Sequence, residues 1–186
     1  MANRNTQGFG LVPAGTLGST PATSGQGKYK IDAGYGTAIY QGGAVASSAG
    51  YIIDGQTTDA PILGVLNGIF YNAATTLKPT FSNHYVQVTP ANSEDIDAFV
   101  FDNPQQQYVV ATDDSVAQSG YLETYDMNTS AGSDTTGKSS STLDIGTTSA
   151  NGKQFRLLRS AEDPENDENA AFRSVVVVPN LIELQS

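Results

Sequence analysis

Short apolar runs separated by turn residues make up most of this chain, and no amphipathic helix of three clear turns can be found in it. The runs alternate between apolar and polar positions or are continuously apolar, and Gly, Pro, Asn, Asp or Ser separates them, as is typical of β-strands. They span residues 28–33, 37–47, 51–55, 61–73, 84–89, 97–104, 107–114, 120–127, 153–161 and 172–186. This pattern predicts an all-β, mostly antiparallel fold, either a small β-barrel or a sandwich.

Turn residues refine the prediction at two places. Asn103-Pro104 lies between two strand-like runs, which predicts a turn that joins them as the two arms of a hairpin. Gly64 and Gly68 interrupt the long apolar run 61–73, and glycines at such positions fit β-bulges or sharp bends.

The first 26 residues differ from the rest of the chain. They are rich in Gly, Ser, Thr and Pro, and their apolar side chains cluster at Phe9, Leu11 and Val12. This composition predicts an extended N-terminal arm over residues 1–26 and a single β-rich domain over 27–186. Within that domain, the polar segment near 128–152 is predicted to be an exposed loop or a flexible hairpin.

Composition narrows the classes of function. The 186 residues carry a net charge of -10 and contain no cysteine, which excludes disulfides, a thiol nucleophile and a cysteine-based zinc site. Acidic proteins lack the clustered cations that nucleic acids require, so we expect no nucleic-acid partner. No apolar run has the length of a signal peptide core or a membrane span, so we expect a soluble protein made and used inside the cell.

One segment matches a nucleotide-binding motif letter for letter. Residues 132–139 fit G-x-x-x-x-G-K-S, the phosphate loop of nucleotide hydrolases. A working loop needs a buried strand before it and a helix after it, whereas polar residues precede this motif and Ser, Thr and Gly follow it. We therefore expect no nucleotide partner.

Catalytic and metal-binding signals are weak. His84 is the only histidine, and its place in a strand-like run favours a partly buried structural role. Carboxylates pair up at Asp113-Asp114, at Asp95 with Asp97 and at Glu123 with Asp126, yet acids in turns are usually solvated. The acidic segment 161–169 favours a solvated loop and leaves a bound cation as the alternative. We expect a protein that is not an enzyme, with no catalytic residue, metal or cofactor.

Four stretches of the sequence resemble a known family of virus proteins. Residues 27–45, 60–71, 97–110 and 153–178 are similar in pattern to small structural proteins of tailed bacteriophages, particularly head decoration (cement) proteins. The resemblance extends from about residue 27 to 180. It implies a short β-rich domain on the outer capsid surface, commonly a trimer, with extended termini that reach over neighbouring subunits.

The expected function is therefore that of a virion structural protein. It would bind the major capsid protein on the phage head after synthesis in the host cytoplasm. Residues 1–31 contain basic side chains and no acidic ones, so the arm suits an acidic neighbour. The candidate capsid-binding residues are Arg4, Phe9, Leu11, Val12, Lys28 and Lys30.

A carbohydrate-binding or adhesive β-module is the alternative function. It would share the β-rich plan and the content of Thr and Asn. Sugar platforms use exposed aromatic side chains, and the chain contains nine Tyr but no Trp.

Overall fold

The computed structural model describes residues 3, 5–19, 25–56, 60–128, 132–167 and 169–185, and within them the protein is all-β. The strands are β1 (Val12–Thr16), β2 (Gly27–Ile31), β3 (Ala44–Ser48), β4 (Tyr51–Asp54), β5 (Gly64–Asn72), β6 (Pro79–Ser82), β7 (Ile96–Phe101), β8 (Gln106–Ala111), β9 (Thr124–Met127), β10 (Leu143–Ser149), β11 (Phe155–Ser160) and β12 (Ser174–Pro179). The helices described are single 3-10 turns at Leu17–Ser19, Ala91–Ser93, Gln118–Gly120 and Glu183–Gln185.

The strands form two antiparallel sheets of six strands each. The first sheet has the order β1-β8-β12-β11-β9-β10. The second has the order β2-β7-β5-β3-β4, and β6 pairs with the second half of β5. Neither sheet closes into a barrel within the described ranges, so of the two predicted architectures the structure is the sandwich.

The turn at Asn103-Pro104 joins the two sheets instead of two arms of a hairpin. β7 belongs to the second sheet and β8 to the first, so the predicted hairpin pairing is wrong. The local turn is real, since Gln106 N–H donates to Asn103 O at 3.0 Å. A turn signal reports the local reversal of the chain, and tertiary packing decides which strands then pair.

Two clusters of buried apolar residues form the core. The first cluster combines residues of the first sheet with Ala44 and Val65 of the second sheet. The second cluster is built from the second sheet and includes Leu66, the residue next to Val65. Because neighbouring residues of a strand point to opposite faces, β5 serves both clusters, which explains its continuous apolar run.

Of the two glycines of β5, Gly68 lies at the predicted kind of irregularity, and Gly64 has a different role. The register between β5 and β7 shifts between Leu66 and Gly68, as expected for a bulge. At Gly64 a Cβ atom would lie 2.3 Å from Phe101 O, so only glycine permits this close approach of the two strands.

The domain boundary predicted at residue 26 has no counterpart in the fold. β1 pairs antiparallel with β8 and is an edge strand of the first sheet. Leu11 is only 1% exposed and belongs to the first core cluster. The N-terminal segment is extended, but it is part of the sandwich because strand pairing and one buried leucine hold it there.

The polar segment 128–152 is more ordered than its composition predicted. It contains β10, which pairs with β9 as the second arm of a hairpin. Ser139, Ser141 and Thr142 are buried. Conversely, residues 84–89 form no strand, and their one ladder contact is an isolated bridge between Tyr85 and Ile39.

Candidate binding surface

The N-terminal segment is anchored by asparagine side chains at its beginning. Asn3 is 7% exposed, its Nδ2 donates to Ala171 O at 2.8 Å, and its Oδ1 accepts from the Asp167 N–H. Asn5 Nδ2 donates to Ser174 Oγ at 3.0 Å. Residues 3 and 5 therefore lie along the loop that leads into β12.

Backbone hydrogen bonds continue the anchoring toward β1. Gly10 N–H donates to Ser141 O at 3.1 Å, and Leu11 N–H donates to Gly42 O at 2.8 Å. The next residue, Val12, begins β1 and is 47% exposed. The segment thus buries Leu11 and presents Val12 to solvent, as alternation along an extended chain requires.

A groove of about 410 Å³ runs between this segment and the second sheet. One wall comes from the N-terminal segment, and the other comes from the body of the domain. The lining residues are Phe9, Leu11, Val12, Pro13, Gln41, Gly42, Leu66, Asn67, Phe101 and Lys138. Its volume falls within the ~300 to 1,000 Å³ usual for ligand sites.

The groove combines apolar walls with a few polar groups. Gln41 Nε2 donates to Asn67 Oδ1 at 3.1 Å, so these two amides are already paired with each other. Lys138 is exposed, and no carboxylate among the described residues forms an ion pair with it. Lys138 is therefore a cation available beside an apolar surface.

The two other predicted lysines are engaged within the protein. Lys28 Nζ and Lys30 Nζ lie 2.7 Å and 2.6 Å from the carboxylate oxygens of Asp97. Burial opposes ionisation of Asp97, but its bonds to both lysines prevail and lower its pKa. The hydrogen bond to Asp97 likewise raises the pKa of Lys30. Both lysines are exposed and stay accessible, but their charges are largely balanced by Asp97 and the net contribution of such surface pairs is small.

An aromatic patch lies on the same face of the second sheet as these lysines. Phe81 of β6 is 63% exposed, and its ring centroid lies 6.4 Å from that of Phe99. Phe70 is opposite Phe81, and Lys28 is opposite Phe99 in the ladders. This phenylalanine face therefore spans three neighbouring strands and carries the most exposed aromatic ring of the described residues.

Two exposed leucines occupy an unfavourable backbone conformation. Leu77 has φ 54° and is 72% exposed, and Leu122 has φ 68° and is 62% exposed. A positive φ strains any residue with a branched, bulky side chain, and Gly or Asn usually takes such positions. Neither side chain gains much packing within the protein in exchange.

The phosphate-loop motif has a different local structure from a nucleotide site. Gly132 forms an antiparallel bridge with Ser139, Gly137 N–H donates to Ser133 O at 2.7 Å, and the residues between them form a turn. The next element in the described part of the chain is the strand β10, and not a helix. The motif lacks the helix N-terminus that would hold a phosphate.

Ser139 of this motif has a structural role. Its Oγ lies 2.7 Å from Ser141 Oγ, and the Ser141 hydroxyl donates to Gln56 Oε1. All three side chains are buried. A fully bonded buried network of this kind fixes the packing between loops, so replacing Ser139 should disturb the fold.

Each of the other titratable candidates has a structural partner of its own. His84 is half-buried, stacks on Tyr40 with ring centroids 5.9 Å apart, and its Nδ1 lies 2.9 Å from Asn83 Oδ1. Asp126 is fully buried and lies 2.9 Å from Lys153 Nζ. Burial raises the pKa of Asp113, and its carboxylate accepts a hydrogen bond from the Ile145 N–H.

The described residues of the acidic segment 161–169 form hydrogen bonds both within the segment and to β12. Asn166 Nδ2 donates to Ser174 O at 2.8 Å, and Asp163 Oδ1 accepts from the Glu165 N–H. Among the described residues, no three His, Cys, Asp or Glu side chains are grouped closely enough to hold a metal ion.

The predicted capsid-binding residues separate into groups. Phe9, Leu11 and Val12 line the groove together, but Leu11 is buried and cannot contact a partner while the segment is docked. Lys28 and Lys30 lie on the face of the second sheet, and Arg4 lies outside the described residues.

Sequence reasoning missed Lys138, Leu77 and Phe81 as surface features. Lys138 was considered only as part of the nucleotide motif, and its place beside Phe9 depends on tertiary structure. Leu77 and Phe81 carry no local signal beyond being apolar residues in a polar surrounding.

The class of protein defined by these observations is a two-sheet β-sandwich with an apolar groove, an exposed phenylalanine face and strained surface leucines. Comparisons with models of protein families, with curated proteins and with solved structures found no match. No helix in the described ranges is both long enough and apolar enough to cross a membrane.

Proposed function

We propose that this protein is a non-enzymatic structural component of a virion that binds the outer surface of a phage head and stabilises it. The observation that supports binding most directly is the pair of strained, exposed leucines. Leu77 and Leu122 each place a large apolar side chain in solvent on backbone that disfavours any residue but Gly or Asn. Such strain is expected where a side chain serves contact with a partner.

The resemblance to phage head decoration proteins suggests the partner. The major capsid protein would be that partner, and a trimer is the expected form at a site of threefold symmetry. The exposed Val12 and Phe81 add apolar surface beyond the two leucines. Many weak contacts repeated around a symmetric shell would give lasting attachment.

Co-sedimentation with phage shells tests this proposal. Purified protein is mixed with undecorated shells, and the bound fraction is measured by sedimentation and quantitative gel analysis. We expect saturable binding at a fixed ratio to the shell subunit, and weaker binding for the Leu77→Asn and Leu122→Asn variants. Absence of saturable binding to shells of the matching phage would refute the proposal.

Carbohydrate binding is the second candidate, and Phe81 is the observation that favours it. An exposed aromatic ring on a sheet face can stack against a sugar. A glycan array probed with the wild-type protein and with Phe81→Ala distinguishes the two functions. Glycan binding that Phe81→Ala removes, without shell binding, would favour this alternative.

A further inference from the structure

The groove beside the N-terminal segment has features of a specific binding site. Its accessible apolar walls come from Phe9, Val12 and Pro13 on one side and from Phe101 on the other, whereas Leu66 lies beneath the groove in the second core cluster. At about 410 Å³ it can accept one large apolar side chain with adjoining backbone. The occupant that these walls favour is therefore apolar.

The charge at the groove determines the second property of its occupant. Lys138 lines the groove without an ion-pair partner among the described residues. Two carboxylates close in sequence to groove-lining residues accept hydrogen bonds from other donors. Asp134 accepts from Tyr40 Oη at 2.6 Å, and Asp102 accepts from Tyr29 Oη at 2.7 Å.

A carboxylate suits Lys138 better than a phosphate group does. A phosphate would need several donors around one point, and the turn that carries Lys138 offers no helix N-terminus to supply them. A single ammonium group beside apolar walls matches one carboxylate attached to an apolar group. The protein has a net charge of -10 and only nine Lys and Arg residues, so a lysine without an ion-pair partner among the described residues is unusual in it.

We infer that the groove binds an extended segment of the partner protein, in which an apolar side chain enters the groove and a neighbouring carboxylate pairs with Lys138. An extended segment fits because the groove runs alongside the edge strand β1, whose Val12 and Pro13 are exposed. The identity of the partner as a capsid subunit rests on the proposed function.

The groove also links binding to the docking of the N-terminal segment. Residues 9–13 form one wall, so the groove is complete only when Leu11 is buried and its N–H is bonded to Gly42 O. A segment that fills the groove must therefore stabilise this docked arrangement. Slower amide hydrogen exchange at Leu11 is the expected sign.

Two matched peptides test the inference on the full-length protein. The probe is acetyl-Gly-Phe-Glu-Gly-amide, and its control is the same peptide with Gln in place of Glu. Dissociation constants are measured by NMR titration, following the amides of Leu11, Gly42 and Lys138. We expect the Glu peptide to bind about fivefold to tenfold more tightly than the Gln peptide and to slow exchange at Leu11.

Substitution of the lysine separates charge from shape. Lys138→Met keeps an unbranched apolar stem but removes the charge. It should lower the affinity for the Glu peptide to that for the Gln peptide and should leave the affinity for the Gln peptide unchanged. Lys78→Met, at another exposed lysine, should change neither. Equal affinity of the wild type for both peptides, or displacement of the Glu peptide by an equal concentration of inorganic phosphate, would overturn the inference.

Shell binding by the same variants distinguishes a wrong role for the groove from a wrong proposed function. Lys138→Met should bind undecorated shells several-fold more weakly than the wild type. Unchanged shell binding by Lys138→Met would overturn the role of the groove and leave the proposed function standing. Selective binding of the Glu peptide by a wild-type protein that does not bind shells would overturn the proposed function alone.

Discussion

Leu77→Asn should stabilise the isolated protein and weaken its binding to shells. Leu77 lies at the end of a turn in which its N–H donates to Ala73 O at 2.8 Å, and its φ of 54° is left-handed. Asn is an ordinary residue at such a position because its short polar side chain tolerates this conformation. The substitution keeps the backbone and removes the apolar side chain.

The expected change in the free energy of unfolding can be estimated from the backbone strain and the burial of Leu77. Leucine in the left-handed conformation costs roughly 1 to 2 kcal/mol, most of which Asn relieves. A fully buried leucine contributes about 1.5 to 3 kcal/mol, and because Leu77 is 72% exposed only a small part of this is lost in the isolated protein. The net gain is about 0.5 to 1 kcal/mol, which raises the Tm by roughly 1 to 4 °C.

The effect on binding should have the opposite sign. If the partner covers the exposed part of Leu77, its removal costs about 1 to 2 kcal/mol of binding, roughly a fivefold to thirtyfold loss of affinity. Ala49→Gly is the matched control. Ala49 is exposed at φ 51° in the turn between β3 and β4, so glycine relieves similar strain and removes only a methyl group.

Thermal unfolding and shell co-sedimentation on the same protein samples measure both quantities. We expect both variants to melt at a higher temperature and only Leu77→Asn to bind shells less tightly. A lower Tm for Leu77→Asn would show that Leu77 is needed for packing. A higher Tm with unchanged shell binding would show that the strained Leu77 side chain does not contribute to binding the shell.

The remaining predictions concern the fold and its dependence on pH. Val177→Ala should lower the free energy of unfolding by about 2 kcal/mol in a urea titration, because Val177 is fully buried in the core. Asp97→Asn should lower the free energy of unfolding at pH 7. The difference from the wild type should vanish as pH falls through the lowered pKa of Asp97, because the carboxylate stabilises the fold only while it is ionised. Asp113→Asn should raise the free energy of unfolding at pH 7, because burial disfavours the ionised carboxylate of Asp113. This gain should disappear as pH falls through the raised pKa of Asp113, and a gain that persists in acid would refute the prediction. A chain that begins at Gly27 should melt at a far lower temperature, because it lacks β1 and Leu11; an unchanged circular-dichroism melt would contradict this.

Local sequence patterns predicted the interior strands better than the edges of the sheets. β5, β7, β8 and β12 coincide with apolar runs because they contribute side chains to the core. The strands that were missed, β1, β6 and β10, each pair with a neighbour on one side only, although the edge strands β2 and β4 do coincide with predicted runs. Edge strands bury fewer side chains, so backbone pairing with a neighbour, and not an apolar pattern, holds them in place.

The candidate site was predictable only in part, for a related reason. Phe9 and Val12 stand out as apolar residues in a polar segment, and they do line the groove. The opposite wall comes from Phe101 and Lys138, and Lys138 is more than 120 positions away along the chain. No local pattern places a lysine of a polar turn beside a phenylalanine near the N-terminus.

The N-terminal segment shows why a composition without a core of its own does not imply an independent arm. Its polar residues cannot form a core, but Asn3 bonds to the loop before β12, Leu11 enters the core of the domain and β1 completes the first sheet. Each contact is modest compared with the entropy lost on ordering a residue, so the segment docks only because these contacts act together. A partner that fills the groove adds one more contact to the same set. Binding and docking are then one coupled equilibrium, and a substitution that loosens Asn3 or Leu11 should weaken binding at the groove without touching the bound segment.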